Sequence, residues 1–167
     1  MEITLDQLLA SREARTFLQQ ELLGRYPGKT LLCLTVIMPG KVKRNLHSLV
    51  VAQAALSAMV SRFGEDVAKL EVRDLPTGFE AYLLTSLSIS EAKKAACEIE
   101  DTHPLGRLFD MDVIGEDGAP VSRQSVGSEP RRCLICDNEA RYCMRARTHS
   151  IERLLSKIDE MVQAYVQ

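Results

Sequence analysis

Two aspartates near the middle of the sequence have the spacing of a chemical site. They lie in the segment Leu105-Gly106-Arg107-Leu108-Phe109-Asp110-Met111-Asp112-Val113. On a strand, residues two apart point to the same face, so the carboxylates of Asp110 and Asp112 would project side by side. Such a pair needs neutralisation, and Mg²⁺ held by carboxylates and substrate phosphates is common in phosphoryl transfer. The pattern predicts that both aspartates bind Mg²⁺ and are catalytic; the alternative is a solvent-facing side of an edge strand.

The residues beside this pair extend the prediction. Arg107 could stabilise a phosphate, and Gly106 would let a substrate or a neighbouring backbone approach closely. His103 could act as a general base. It could equally be the C-terminal cap of a preceding helix that Pro104 stops. Both interpretations of His103 stay open.

A weaker phosphate signal occurs in Pro39-Gly40-Lys41-Val42-Lys43. This segment falls where a predicted strand passes to a helix, and backbone N–H groups at a helix start attract phosphate. Lys43 is therefore a candidate substrate-binding residue. The glycine pattern of a Walker A loop is absent, and two lysines in a solvated loop are the alternative.

The stretch from residue 123 to residue 147 has a local excess of positive charge. All of its cations are arginines, which favours anion binding, with a solvated basic loop as the alternative. Those that we assign to substrate binding are Arg123, Arg131 and Arg132. The net charge of the whole chain is −2 and it contains no tryptophan. We therefore expect no binding to nucleic acid.

The same stretch contains a set of residues with metal-ligand chemistry: Cys133, Cys136, Cys143 and His149. Three thiolates and one imidazole suit a closed tetrahedral zinc site. The spacing is not that of a standard zinc ribbon, and buried or free thiols that pack the last helix are the alternative. A zinc ion here would be structural, because four protein ligands leave no position open for water.

The elements that must position these residues can be predicted from periodicity and turn signals. We predict strands over residues 30–38, 67–74, 80–87 and 107–114, and helices over residues 4–23, 45–63, 90–101 and 150–166. On the last strand, Leu108 and Ile114 would share the face of the aspartates. The order strand, helix, strand, strand, helix, strand is typical of an α+β, ferredoxin-like βαββαβ core.

We expect a single domain over residues 1–167. It would consist of an N-terminal helical arm (1–28), an α/β core (30–123), and an Arg/Cys-rich segment with a C-terminal helix (124–167). The N-terminus lacks the features of a signal peptide, and no stretch approaches the roughly 20 apolar residues of a membrane span. These observations predict a cytoplasmic protein with reduced cysteines and no membrane contact.

Several blocks of the sequence resemble one family, the apo-citrate lyase phosphoribosyl-dephospho-CoA transferases. The first block runs from His103 to Ile114. The second comprises Ser122-Arg123, Arg131-Arg132-Cys133-Leu134-Ile135-Cys136, Ala140, Cys143, Arg145 and His149. The segments Pro39-Gly40 to Lys43 and Leu8-Leu9-x-Ser11-Arg12-Glu13 are similar too. The resemblance covers essentially the whole chain.

The resemblance implies an activity. Members attach 2′-(5″-triphosphoribosyl)-3′-dephospho-CoA to a serine of the acyl carrier subunit of citrate lyase, form a phosphodiester and release pyrophosphate. By chemistry, we assign Mg²⁺ to the Asp110–Asp112 pair and the serine proton to one carboxylate or His103. The cationic clamps are then Lys43, Arg107, Arg123, Arg131 and Arg132. The alternatives are a transferase for another carrier, such as that of malonate decarboxylase, and a non-catalytic zinc-knuckle module that binds an acidic partner.

Overall fold

A computed structural model describes all residues, 1–167. It contains five α-helices and four strands. The helices are α1 (Leu5–Arg25), α2 (Leu46–Phe63), α3 (Ile89–Thr102), α4 (Ala140–Ala146) and α5 (Ile151–Val166). The strands are β1 (Thr30–Val36), β2 (Val67–Leu75), β3 (Gly78–Thr85) and β4 (Phe109–Val113).

The four strands form one sheet in the order β2-β3-β1-β4, in which every neighbouring pair is antiparallel. Together with the element order βαββαβ, this is the ferredoxin-like arrangement that the sequence predicted. Strand β4 lies at one edge and pairs only with β1, with Thr35 opposite Asp110 and Cys33 opposite Asp112. The prediction of an α+β fold is confirmed.

One face of the sheet carries the main hydrophobic core. Helices α2, α3 and α5 cover this face, and the buried residues of β4 that point into it are Phe109, Met111 and Val113. Ser88 caps the N-terminus of α3 and Asn45 that of α2, each through a capping box. The odd-numbered residues of β4 are therefore committed to packing, which turns the even-numbered ones to the other face.

Helix α1 lies on that other face. Its residues Leu18 and Leu22 pack with Leu31, Tyr82 and Ile114 in a second, smaller core. The helix is continuous through Ser11, where the sequence suggested a break, and it begins at the predicted Thr4–Gln7 capping box. The division of the chain into arm, core and Arg/Cys-rich segment stays a prediction.

The start of β4 differs from the sequence prediction. A 3₁₀ turn occupies Gly106–Leu108, and the strand begins only at Phe109. This turn breaks the strand alternation, so Leu108 lies in the main hydrophobic core under α2, α3 and α5. The prediction that Leu108 lies beside Asp110 is therefore wrong. After the strand, Ile114 and Pro120 form a single isolated bridge.

Helix α2 qualifies the expectation about membrane-length segments. Residues Leu46–Asp66 are long and apolar enough for a span by length and composition alone, with a mean hydropathy of 1.2. Helix α2 packs on the sheet through buried residues that include Val51, Ala55 and Met59. Burial of this kind accounts for its composition, because the core helix of a globular domain meets the same criteria.

Candidate active site

The Asp110 and Asp112 side chains lie together on the α1 face of the edge strand. Both are partly buried, whereas the alternating residues of β4 are fully packed on the opposite face. The hydroxyl of Thr35 donates to Oδ2 of Asp110 at 3.4 Å. The chain therefore presents two carboxylates side by side at an accessible edge of the sheet.

The electrostatics of the pair favour a bound cation. Burial and, after it, the charge of Asp110 raise the pKa of Asp112 to about 6, against the opposing effect of Lys93. Two neighbouring carboxylates that repel each other are stabilised when a positive charge joins them. Their oxygen atoms are the ligands that Mg²⁺ prefers, so the residues fit a magnesium ion.

These carboxylates line a long groove between the edge of β4 and the segment that follows it. The groove has a volume of about 740 Å³. Its walls include Asp110, Asp112, Arg107, Arg131, Arg141 and Met144. A volume of this size suits a nucleotide-like ligand or part of one.

Arg131 and Arg123 converge on a buried glutamate at the wall of this groove. Arg131 Nη1 lies 3.1 Å from Oε2 of Glu100, and Arg123 Nη1 lies 2.7 Å from its Oε1. Arg131 also donates to the carbonyls of Phe109 and Gly106. Both predicted anion-binding arginines thus have several protein acceptors at the groove wall.

Arg107 and Arg132 are joined to each other by a hydrogen bond. Arg107 Nε donates to the Arg132 carbonyl, and Arg132 Nη1 donates to the Asp137 carbonyl at 3.2 Å. Burial lowers the pKa of Arg107, as does the nearby charge of Arg131. Arg107 lines the groove with the aspartates, whereas Arg132 is exposed.

Gly106 is packed against the end of α3. A Cβ atom there would lie 2.8 Å from the carbonyl carbon of Glu100 and 2.8 Å from the carbonyl oxygen of Ile99. The sequence predicted that either a substrate or a neighbouring backbone approaches Gly106 closely. In the structure, it is the backbone of α3 that does so.

Lys43 and His103 lie apart from the paired carboxylates. Lys43 Nζ donates to the Met38 carbonyl at 2.7 Å, and burial followed by the charge of Arg12 lowers its pKa. His103 ends α3, and its ring lies 4.8 Å from the ring of Phe109, which faces the main hydrophobic core. Neither residue is among those that line the groove.

The ring of His103 also has a structural contact. Its Nδ1 accepts a hydrogen bond from the Leu105 N–H at 2.9 Å, and burial lowers its pKa. A neutral imidazole that accepts this bond secures the turn after α3.

The four predicted zinc ligands come together, and we call them the Cys/His cluster: Cys133, Cys136, Cys143 and His149. All of their ligand atoms lie within 4.8 Å of one another. The Sγ atom of Cys136 is 3.4 Å from that of Cys143 and 3.4 Å from Nε2 of His149. A tetrahedral site with zinc–sulfur bonds of about 2.3 Å has edges of about 3.8 Å, so small adjustments would close the cluster around an ion. The cluster could hold a metal such as zinc.

The local backbone explains why this cluster forms. The Cys133 N–H donates to the Asn138 carbonyl at 2.7 Å, which closes a tight loop around Cys136. Burial raises the pKa of Cys133, but N–H groups of Ile135 and Cys136 and the neighbouring thiols lower it more, so its pKa is below the ordinary value. A thiol stabilised as thiolate is a better metal ligand.

A family model matches the chain over residues 3–165, and its description is apo-citrate lyase phosphoribosyl-dephospho-CoA transferase. The chain belongs to this family. Membership confirms the resemblance drawn from the sequence, and with it the prediction of a transferase.

The chain is also similar to individual proteins from several bacteria. One from Vibrio cholerae serotype O1, named "Probable apo-citrate lyase phosphoribosyl-dephospho-CoA transferase", is 41% identical over 99% of this chain and 94% of its own length. One of the same name from Streptococcus pyogenes serotype M18 is 35% identical over 98% of this chain and 87% of its own length. "Protein CitXG" of Haemophilus influenzae is 37% identical over 97% of this chain, which spans only 35% of that longer protein.

Two charged residues of the transferase groove were missed by sequence reasoning. Glu100 and Lys93 are buried on α3, and both line the groove. They are seven residues apart, which places them on one helical face together with the buried Ala96 and Cys97. Two charges within a stripe of small apolar residues were the signal that could have revealed them.

Proposed function

We propose that this chain transfers 2′-(5″-triphosphoribosyl)-3′-dephospho-CoA to a serine of the acyl carrier subunit of citrate lyase. A phosphodiester would form and pyrophosphate would be released. The observation that carries the proposal is the pair of adjacent carboxylates in a groove of about 740 Å³, within a chain that matches the family over residues 3–165. The chemistry requires alignment and charge neutralisation more than covalent participation of the protein.

In the proposed reaction, the serine oxygen attacks the phosphorus next to the ribose. The bond from this phosphorus to the pyrophosphate oxygen breaks, and the electron pair leaves with pyrophosphate. Asp110 and Asp112 would hold Mg²⁺, which would supply positive charge to the triphosphate. One carboxylate of this pair accepts the serine proton. We prefer it to His103, whose ring packs on Phe109 at the other side of β4.

The cationic side chains of the groove would hold the phosphates. Arg107 lines the groove beside Asp110, so we assign it to the triphosphate. Substrate binding by Lys43, Gly106 and Arg132, together with Arg123 and Arg131, stays a prediction. The contacts that the three arginines make with the protein leave donors for phosphate, because one guanidinium group carries five N–H donors.

The carrier subunit would approach from the side of α4. Arg141, Arg145 and Arg147 are exposed and form no ion pair with a carboxylate. Arg141 and the exposed Met144 line the groove that holds the aspartates, so a docked carrier would be continuous with the site of transfer. Unpaired arginines of this kind would attract an acidic carrier.

We propose zinc as the ion of the Cys/His cluster. With three thiolates and one imidazole it would be a closed structural site that takes no part in the chemical step. Its effect would be to order the loop before α4, because the segment has few apolar residues to order itself.

The decisive test is intact-mass analysis of apo-carrier after incubation with the protein, the precursor and Mg²⁺. We expect a mass increase on the carrier equal to the precursor minus pyrophosphate, and release of pyrophosphate in equal amount. Asp110→Asn and Asp112→Asn should each slow transfer by a factor that corresponds to several kcal/mol, since loss of one electrostatic group in other enzymes costs about 2.7–4 kcal/mol. Asp74→Asn, at an exposed carboxylate of β2, is the matched control.

Carrier specificity is tested in the same assay. The apo-carrier of malonate decarboxylase, offered in parallel, should remain unmodified. Modification of that carrier alone would replace citrate lyase as the target. Wild-type transfer rates in both aspartate variants across a Mg²⁺ titration would contradict the catalytic assignment, and absence of any transfer would favour a binding module.

A further inference from the structure

At Phe109 and Met111, the outer edge of β4 is occupied by side chains where a fifth strand would otherwise pair. In an antiparallel edge strand, alternate residues turn their backbone groups away from the neighbouring strand. The N–H of Met111 donates to Oε2 of Glu100 at 3.0 Å, and the Met111 carbonyl accepts from Lys93 at 3.4 Å. The Phe109 carbonyl accepts from Arg131. Side chains thus bind both backbone groups of Met111, the residue that lies between the two aspartates in the chain.

Glu100 is the centre of this arrangement. Its side chain is only 3% exposed and lies 2.7 Å from Arg123 and 3.1 Å from Arg131. Burial raises its pKa, and Arg131 and the Met111 N–H oppose this effect. A buried carboxylate with these partners has a fixed position, because each of its oxygens is already bound.

Arg131 connects the glutamate to the Cys/His cluster. Besides Glu100, it donates to the carbonyls of Phe109 and of Gly106, the latter at 2.7 Å. It precedes Cys133 by two residues, and its own carbonyl accepts from the Ala140 N–H at 2.8 Å at the start of α4. The guanidinium group therefore joins α3, the 3₁₀ turn and β4, and the Arg131 backbone continues into the loop of the Cys/His cluster.

We infer that Glu100 is a positioning residue for the transfer reaction, which sets the Asp110 and Asp112 carboxylates by holding Met111 between them, and that Arg131 links it to the Cys/His cluster. The inference rests on the proposed function. Neither residue needs to touch the reacting atoms. Their effect is exerted through the backbone of β4, whose displacement would move both carboxylates together.

A small displacement is sufficient to matter. A catalytic constellation requires placement within about 0.5 Å, and a misplacement of about 1 Å can slow a reaction by roughly 100-fold. Glu100→Gln removes the charge that draws in both arginines and leaves the Met111 N–H only a neutral amide oxygen, which is a weaker acceptor than the carboxylate. Arg131→Lys keeps the charge but replaces a planar fork, which reaches three acceptors, with a single ammonium.

The test compares Glu100→Gln and Arg131→Lys with Glu98→Gln. Glu98 is two residues away on the same helix, and its exposed side chain meets Arg62 at 3.4 Å. We expect kcat to fall by roughly 10- to 100-fold in the first two variants, with more Mg²⁺ needed for half-maximal rate. The KM for the precursor should be nearly unchanged in Glu100→Gln, whereas Arg131→Lys can also raise it because Arg131 is a predicted substrate-binding residue. Glu98→Gln should match the wild type. The double variant should be no slower than the slower single one, because the two residues act as one unit.

A second measurement does not depend on activity. Hydrogen exchange of the Met111 amide, followed by NMR, should be faster in Glu100→Gln than in the wild type or Glu98→Gln. If a variant is unstable, both measurements are made at a temperature where circular dichroism shows it folded. A folded Glu100→Gln variant with wild-type kcat and Mg²⁺ requirement overturns the inference, as does unchanged exchange at Met111. Failure of the wild type to transfer the prosthetic group overturns the proposed function instead.

Discussion

Replacement of Gly106 by alanine separates two roles that the sequence left open for this residue. Gly106 opens the 3₁₀ turn before β4 and contacts the last turn of α3. A Cβ atom would lie 2.8 Å from the Ile99 carbonyl oxygen and from the Glu100 carbonyl carbon, and closer still to the Glu100 carbonyl oxygen. All three atoms belong to the backbone of a helix, so none can move without its neighbours.

The size of the effect follows from this contact. Insertion of one methyl group into a well-packed site costs typically about 1–3 kcal/mol. In a chain of 167 residues, each kcal/mol corresponds to a Tm change of about 2–4 °C, so we expect Gly106→Ala to lower Tm by roughly 2–12 °C. Gly24, near the end of α1, is the control because a Cβ there meets nothing within 4 Å. Gly24→Ala should be neutral or more stable by up to about 1 kcal/mol.

Urea and thermal unfolding followed by circular dichroism measure both variants, with the transfer assay in parallel. We expect Gly106→Ala to lose stability, and its activity to fall through displacement of β4. A variant with wild-type Tm and urea midpoint that no longer binds the precursor would refute this reasoning. Gly106 would then be needed for the approach of a substrate and not for packing against α3.

Three further predictions concern other parts of the molecule. NMR titration should give His103 a pKa below its ordinary value of 6.5. Because the unfolded chain then binds the proton more readily, the contribution of neutral His103 to stability is present above pH 6.5 and is lost as pH falls from 6.5 through the lower pKa of the folded state. A titration midpoint of His103 at or above 6.5 would contradict this. Protein purified without an affinity tag should carry one zinc ion per chain at the Cys/His cluster, and chelation should reduce activity even with excess Mg²⁺; a fully active sample with well under one zinc and reactive thiols would rule the site out. Arg145→Glu should raise KM for the carrier and reduce its salt dependence, whereas Lys69→Glu at the opposite edge of the sheet should not; equal KM values would exclude docking at α4.

The fold could be predicted because its boundaries carry local signals. Pro27-Gly28 and Pro39-Gly40 delimit the apolar run that forms β1, and Thr4 with Gln7 forms the capping box that starts α1. The 3₁₀ turn before β4 had no such signal. It depends on the close contact of Gly106 with the end of α3, which is a tertiary interaction.

The candidate site was predictable where it depends on spacing within one element. The alternation of β4 places Asp110 and Asp112 on one face, and the residue types of the Cys/His cluster indicated its ligand set although their spacing is irregular. The surroundings were not predictable in this way. The partners of Arg131 come from α3, the turn and β4, and the side of β4 on which the His103 ring packs depends on how the chain leaves α3.

An edge strand is a demanding place for a catalytic pair. In the proposed reaction, its position at the border of the sheet would give a serine on another protein direct access to Asp110 and Asp112. The same exposure leaves backbone groups free to pair with a foreign strand. In this chain, Glu100, Lys93 and Arg131 bind the outward-facing backbone groups of β4. These side chains take the place of a fifth strand and do not cover the aspartates on the α1 face. In the proposed reaction, the charges buried on α3 therefore protect the edge of the sheet and fix the position of the carboxylates at the same time.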